Sequence, residues 1–310
     1  MKPLEDLVSK YIEYKKSLGF DFLSQTQMLH SFEVFAYDRP FNLDLALEWS
    51  RRGSKHSENY ERTRYETIRR FSEFAHALDC DMPALPPGVL GKTRDRVVPY
   101  IYSEDDLAVL MRAARVQKSH DGLKSETMPF LIGLMASTGL RISEALTLKD
   151  SDVNLEEKLI TVTESKNGQT RIIPVADDVA HHIGAYQSVR NALCKQKKPE
   201  RLAVGTGGTP PSCSSVEDTF AEIRWSLLNR GESFAGRKPR LHDLRHSFAV
   251  ATIIRWQRAN LDVNAMIPYL SVYLGHKKIA DTYWYLTGVP ELLESVGETF
   301  RSMFHGDGND

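Results

Sequence analysis

Residues 159–175, LITVTESKNGQTRIIPV, carry the one strong β signal in the chain. Leu159 to Thr163 and Thr170 to Val175 are rich in β-branched residues, and Asn167-Gly168 between them is the strongest short hairpin turn. Outward from this hairpin in both directions, apolar residues recur at helical spacing. The fold class expected is therefore mainly α with a small antiparallel β-sheet. Upstream, Ser103 with Glu104 and Asp105 reads as a helix start. Met128 to Ser137 reads as a buried helix broken at Thr138-Gly139, with another helix over Arg141 to Leu148. Downstream, helices are expected over Val179–Leu193, Ser215–Leu228, His242–Arg258 and Asn264–Leu274, with a last one from Pro290 to Met303.

The first 82 residues read as helices alone: Pro3–Leu18, Ser24–Tyr37, Leu43–Arg52 and Ser57–Leu78. In the fourth, Ile68, Phe71, Ala75 and Leu78 share one stripe, while Arg62, Glu66, Arg69, Arg70 and Glu73 fill the other face. That charged face has two readings. It is a solvated surface laced with pairs such as Arg62–Glu66, Glu66–Arg70 and Arg69–Glu73, or it is a DNA-facing helix. Residues 83–100 then bring prolines, glycines and the cluster Lys92, Arg94, Arg96, which reads as a basic linker to a second domain over 101–310.

Composition sets the outer limits. With 310 residues, about two domains are expected. Hydrophobics make up 41% and charged residues 26%, so disorder and fibrous repeats are excluded. The formal net charge of −1 announces no nucleic-acid partner, so any basic contact must be local. No apolar run approaches the ~18 residues of a membrane span, and the N-terminus lacks a signal-peptide core. Cys80, Cys194 and Cys213 form no CxxC pair, so a reducing, cytoplasmic setting is expected.

Three clusters carry chemistry. Thr138-Gly139-Leu140-Arg141-Ile142-Ser143-Glu144 puts an arginine just past a glycine break, with a carboxylate one helical turn on, which reads either as an ordinary salt bridge or as a group orienting an active-site arginine. In Leu241-His242-Asp243-Leu244-Arg245-His246, His242 and Arg245 share a helix face and suit an oxyanion. His242 and His246 have metal-site spacing, but no HExxH pattern or third ligand accompanies them. The third cluster is Leu274-Gly275-His276, followed by Tyr283 and Tyr285. These two tyrosines are about 200° apart on a helix, so only one can face a shared site.

In the order and spacing of these clusters the chain resembles the tyrosine recombinases, the phage-integrase family. The resemblance covers most of 100–290. It implies an all-helical core-binding (SAM-like) domain followed by an α+β catalytic domain. It also implies catalytic residues Arg141, Lys166, His242, Arg245, His276 and Tyr285, with Tyr283 the alternative nucleophile and Glu144 in support. The implied activity is metal- and ATP-independent cutting and rejoining of DNA at a specific site, with no cofactor. The implied partners are double-stranded DNA, a homotetramer on that DNA and, in some systems, a partner recombinase. On this view Arg62, Arg69, Lys92, Arg94 and Arg96 touch DNA. The last helix either packs on its own domain or is donated to a neighbouring protomer. A type IB topoisomerase and a silent DNA-binding accessory protein are the alternatives.

Overall fold

A computed structural model describes residues 4–53, 57–78, 81–91, 98–117, 122–163, 170–195, 199–231, 234 and 238–288. The expected helix over 290–303 and the Asn167-Gly168 turn lie outside the described residues. The chain divides into two units, 1–97 and 98–310. No helix among the described residues is long and apolar enough to cross a membrane.

The first unit holds α1 (Leu4–Ser17), α2 (Leu23–Ala36), α3 (Leu43–Arg51) and α4 (Glu58–Ala77). Asn42 and Ser57 start α3 and α4 by accepting the backbone N–H groups of Leu45 and Tyr60. The helices close around Leu7, Val8, Leu29, Phe32, Trp49, Ile68 and Phe71, all essentially inaccessible to water. The stripe on α4 differs from expectation at its end. Leu78 is exposed because it caps the helix past its last turn, and Tyr65, one turn before Ile68, is buried instead. Arg64 is also buried, its guanidinium stacked 3.9 Å over the Trp49 ring. Part of the stretch read as linker is pinned to α4. Leu85 is buried in the same core, its N–H bonds Ser72 Oγ at 2.9 Å, and the Tyr65 hydroxyl donates to the Pro86 carbonyl.

The second unit begins with α5 (Glu104–Arg115), started by a reciprocal pair in which Ser103 Oγ accepts from the Asp106 N–H and the Asp106 carboxylate accepts from the Ser103 N–H. Next come α6 (Lys124–Thr138), α7 (Ile142–Thr147), β1 (Val153–Asn154), β2 (Leu159–Val162), β3 (Arg171–Pro174), α8 (Asp177–Leu193), α9 (Cys213–Asn229), α10 (Asp243–Arg258), α11 (Val263–Leu274) and α12 (Ala280–Gly288). The strands form one antiparallel sheet in the order β1-β2-β3, with Ile160 opposite Ile173 and Val162 opposite Arg171. The short β1 was not legible in the sequence. Helix α6 is apolar nearly all round, since it packs against α5, α8 and α10 at once. A second cluster joins Val250 and Ile253 of α10, Ile267 and Leu270 of α11, and Tyr285 of α12.

Candidate active site

The site is built on two helix ends. Helices α6 and α11 both stop at a glycine in the left-handed region, Gly139 (φ +64°) and Gly275 (φ +68°). The left-handed backbone strains any side chain at either position, and a Cβ would also crowd its neighbours, lying 2.6 Å from Phe248 at Gly139 and 2.9 Å from the Arg171 guanidinium at Gly275. Such ends leave carbonyls without intrahelical partners and concentrate negative potential there. Two arginines answer them. Arg245 donates to the Gly139 carbonyl at 2.7 Å and to the Leu274 carbonyl at 2.6 Å. Arg141 donates to the Gly275 carbonyl at 3.2 Å and, more weakly, to Leu274 at 3.4 Å. The Leu274 carbonyl thus ties both guanidiniums together.

Glu144 fixes the second arginine. It is 1% exposed, and its carboxylate accepts from Arg141 Nη1 at 2.8 Å and from the Arg141 backbone N–H at 3.0 Å. Arg171 grips the same carboxylate through both Nη atoms, at 3.1 and 2.8 Å, and its Nε donates to the Tyr273 carbonyl. Burial works against ionisation of Glu144. The hydrogen bonds from Arg171 and the Arg141 backbone outweigh it and hold the carboxyl below its usual range. Arg245 is 1% exposed, and desolvation together with the Arg141 charge pulls it down to about 10, so it stays cationic at neutral pH.

Tyr285 is 2% exposed, whereas Tyr283 is 38% exposed. Of the two candidates, α12 therefore turns Tyr285 inward. Its hydroxyl lies 3.2 Å from His246 Nδ1, and its ring packs against His276 and His246 at centroid distances of 6.2 and 5.5 Å. Desolvation raises the Tyr285 hydroxyl, opposed by the positive charges of Arg245 and Arg141. His276 is oriented by Thr282, with Nδ1 2.7 Å from Oγ1. His242 stands at the solvent-exposed start of α10, its ring edge-on to His246 at 4.8 Å.

All three imidazoles are pushed toward the neutral form. Desolvation is the first cause for each, reinforced by Arg245 and Arg141 for His242 and His276 and by His242 for His246. His246 falls to about 3 and His276 to about 4. An unfolded histidine titrates near 6.5. Between these values the unfolded chain binds more protons than the folded one, so stability rises with pH through this window and is lost on acidification. The catalytic unit is expected to lose on the order of 2 kcal/mol between pH 7 and pH 5, allowing for solvent screening. Urea unfolding monitored by intrinsic fluorescence across that range checks this, and a flat profile would contradict the desolvation of His246 and His276.

Five residues expected from the sequence are thus brought together: Arg141, His242, Arg245, His276 and Tyr285, with Glu144 beneath Arg141. Lys166, Lys92, Arg94 and Arg96 lie outside the described residues. Arg62 and Arg69 are engaged within their own unit. Arg62 Nε donates to the Leu90 carbonyl and its fork pairs with Glu58, not Glu66. Arg69 pairs with Glu66 at 2.9 Å and Glu73 at 2.5 Å. Two site residues escaped the sequence reading. Arg171 was readable from strand alternation, since it shares a face with the buried Ile173. His246, which in the sequence shows only metal-type spacing with His242, instead meets Tyr285. No cluster of three or more metal-ligating side chains occurs among the described residues.

A tyrosine hydroxyl set beside cationic forks suits phosphodiester transfer through a protein-bound intermediate. Within that class the chain belongs to the phage integrase family, the tyrosine recombinases, whose family model matches residues 102–289. The integrase/recombinase y4rB of Sinorhizobium fredii is 33% identical over 96% of each chain. The tyrosine recombinase XerD of Staphylococcus saprophyticus is 28% identical over 71% of this chain and 68% of its own. Among solved structures, the Tn1549 transposon integrase in complex with a circular intermediate DNA shares the fold, with a TM-score of 0.68 at 16% identity, over 91% of this chain and 94% of that one.

Proposed function

We propose that the protein is a site-specific DNA recombinase that cuts and rejoins duplex DNA through a 3′-phosphotyrosine on Tyr285, moving or resolving a mobile element. The observation that supports this most is the sharing of the Leu274 carbonyl by Arg141 and Arg245 beside the buried Tyr285 hydroxyl. A guanidinium has five N–H donors, and Arg245 commits two of them to Gly139 and Leu274. The two forks can therefore hold the non-bridging oxygens of a phosphodiester, where negative charge grows during attack. Tyr285 Oη attacks the phosphorus, the bond to the 5′ oxygen breaks, and Lys166 supplies the proton that oxygen needs. His242 accepts the tyrosine proton, and His276 adds a hydrogen bond to the phosphate. Religation runs the same steps backward, so the energy of the broken bond is kept in the protein–DNA link.

Double-stranded DNA with a specific target site is the substrate, bound as a homotetramer at the moment of exchange. Lys92, Arg94 and Arg96 contact its backbone, joined by Arg62 and Arg69 once these exchange carboxylate partners for phosphates. The setting is the cytoplasm. The integrase/recombinase name of y4rB agrees with this reading.

A plasmid test separates it from topoisomerase action. Supercoiled plasmids carrying one or two copies of the element-end site are incubated with the protein in EDTA. The two-site plasmid is expected to yield deletion or inversion products with exchanged junctions. Relaxation of both plasmids without exchange would point to a topoisomerase. Binding with neither outcome would point to a silent accessory protein.

A further inference from the structure

His246 has no place in the chemistry set out above, yet it makes a direct polar contact with the nucleophile. Its Nδ1 lies 3.2 Å from the Tyr285 hydroxyl, and its ring packs against Trp284 at 5.7 Å and Tyr285 at 5.5 Å. It sits on α10 one residue after Arg245 and one turn after His242, so one helix carries a phosphate-binding fork, an exposed imidazole and this inward-facing imidazole. Tyr285 belongs to α12, packed on α10 and α11 through the cluster of Val250, Ile253, Ile267 and Leu270. A phenol has two side-chain torsions, and apolar packing constrains the ring without fixing where its hydroxyl points. The bond to His246, beside the one that Tyr285 shares with Arg245, fixes it against α10.

We propose that His246 is a positioning residue for the nucleophile. Its Nδ1 anchors the Tyr285 hydroxyl at the mouth of the arginine pair, while removal of the proton is left to His242. The neutral ring can serve as donor or acceptor according to its tautomer. The anchor therefore holds throughout the neutral range. The groups facing His246 are His242 and Asp243 on its own helix, Arg240 and Arg245 beside them, and Tyr285 from α12.

The inference rests on Tyr285 being the nucleophile, and the test separates the two claims. Full-length wild type, His246→Phe and His246→Asn are compared for single-turnover cleavage of a nicked suicide duplex at saturating DNA, from pH 6 to pH 9. Phenylalanine keeps the ring volume and removes the polar atom. Asparagine is smaller but keeps a polar atom where Nδ1 stands. Positioning predicts a loss of about 10–100-fold for His246→Phe, in line with the cost of misplacing a reacting group. It predicts that His246→Asn stays within a few-fold of wild type, with unchanged DNA affinity and the same pH profile in all three proteins. Phenylalanine matching or exceeding asparagine would make the role one of packing and overturn the proposal. Loss of a limb of the pH profile in His246→Asn would make His246 the base and overturn it as well. If His246→Phe does not fold, as judged by thermal unfolding, His246→Asn decides: a loss beyond 10-fold overturns the proposal, and near-wild-type cleavage upholds it. Wild type forming no adduct would overturn the reading of Tyr285 itself.

Discussion

Tyr285→Phe is expected to abolish covalent attachment to DNA, by a factor on the order of 10⁴ or more, as removal of an enzymatic nucleophile commonly does. One oxygen is deleted from a side chain that is 2% exposed, and the ring keeps its contacts with His246, His276 and Trp284. The lost hydrogen bond to His246 costs about 1 kcal/mol of stability, so the variant folds and binds DNA with the arginines in place. Tyr283→Phe is the control. Its side chain is exposed on the same helix, and the change is expected to leave attachment intact. Gel detection of protease-sensitive protein–DNA bands on a suicide duplex measures both. Attachment surviving in Tyr285→Phe would remove the chemical core of the account.

Glu144→Ala is expected to produce the largest loss of stability. The carboxylate is 1% exposed and takes three hydrogen bonds from guanidinium nitrogens, two from Arg171 and one from Arg141, plus one from the Arg141 backbone. Arg171 has only 9% of its side chain accessible, so removing its partner strands a buried cation. Breaking a buried ion pair from one side costs about 3–5 kcal/mol. For a unit of this size that is roughly a 10 °C fall in the unfolding midpoint. Cleavage should fall further than stability explains, because Arg141 loses the group that aims its fork. Glu144→Gln keeps an acceptor and should lie between the two. Since the carboxyl sits below its usual range, its contribution is complete above about pH 4.3 and is lost as pH falls through the lowered value. Scanning calorimetry of the three proteins at pH 7 checks the ranking, and an unshifted Glu144→Ala would contradict the clamp.

How far the sequence could be read follows from the range of each interaction. Helix starts at Ser57 and Ser103 are local, each a side chain meeting a backbone three residues on, and they were legible; Asn42 opens α3 in the same way. The hairpin strands were legible from β-branched residues, whereas two-residue β1 had no pattern to show. In the site, Arg141 and Arg245 stood out through their motifs. What holds them did not, because their acceptors at Leu274, Gly275 and Gly139 lie 29 to 134 residues away in sequence. Strand alternation puts Arg171 on the buried face, but the same distance problem hid its partners, 27 and 102 residues away. Arg190 is another such case. It is fully buried, gripping Asp150 through two 2.7 Å bonds and the Leu202 carbonyl at 3.0 Å, and a charged residue near a helix end gives no hint of that. The choice of Tyr285 over Tyr283 needed only helical geometry, and their opposite exposures follow from it.

The most direct test of the central claim is to trap the protein on a duplex nicked beside the cleavage point, in EDTA, and map the modified peptide by mass spectrometry. The expected product is a nucleotide joined through its 3′ phosphate to Tyr285. An adduct on Tyr283, or none on a DNA that the protein demonstrably binds, would contradict it.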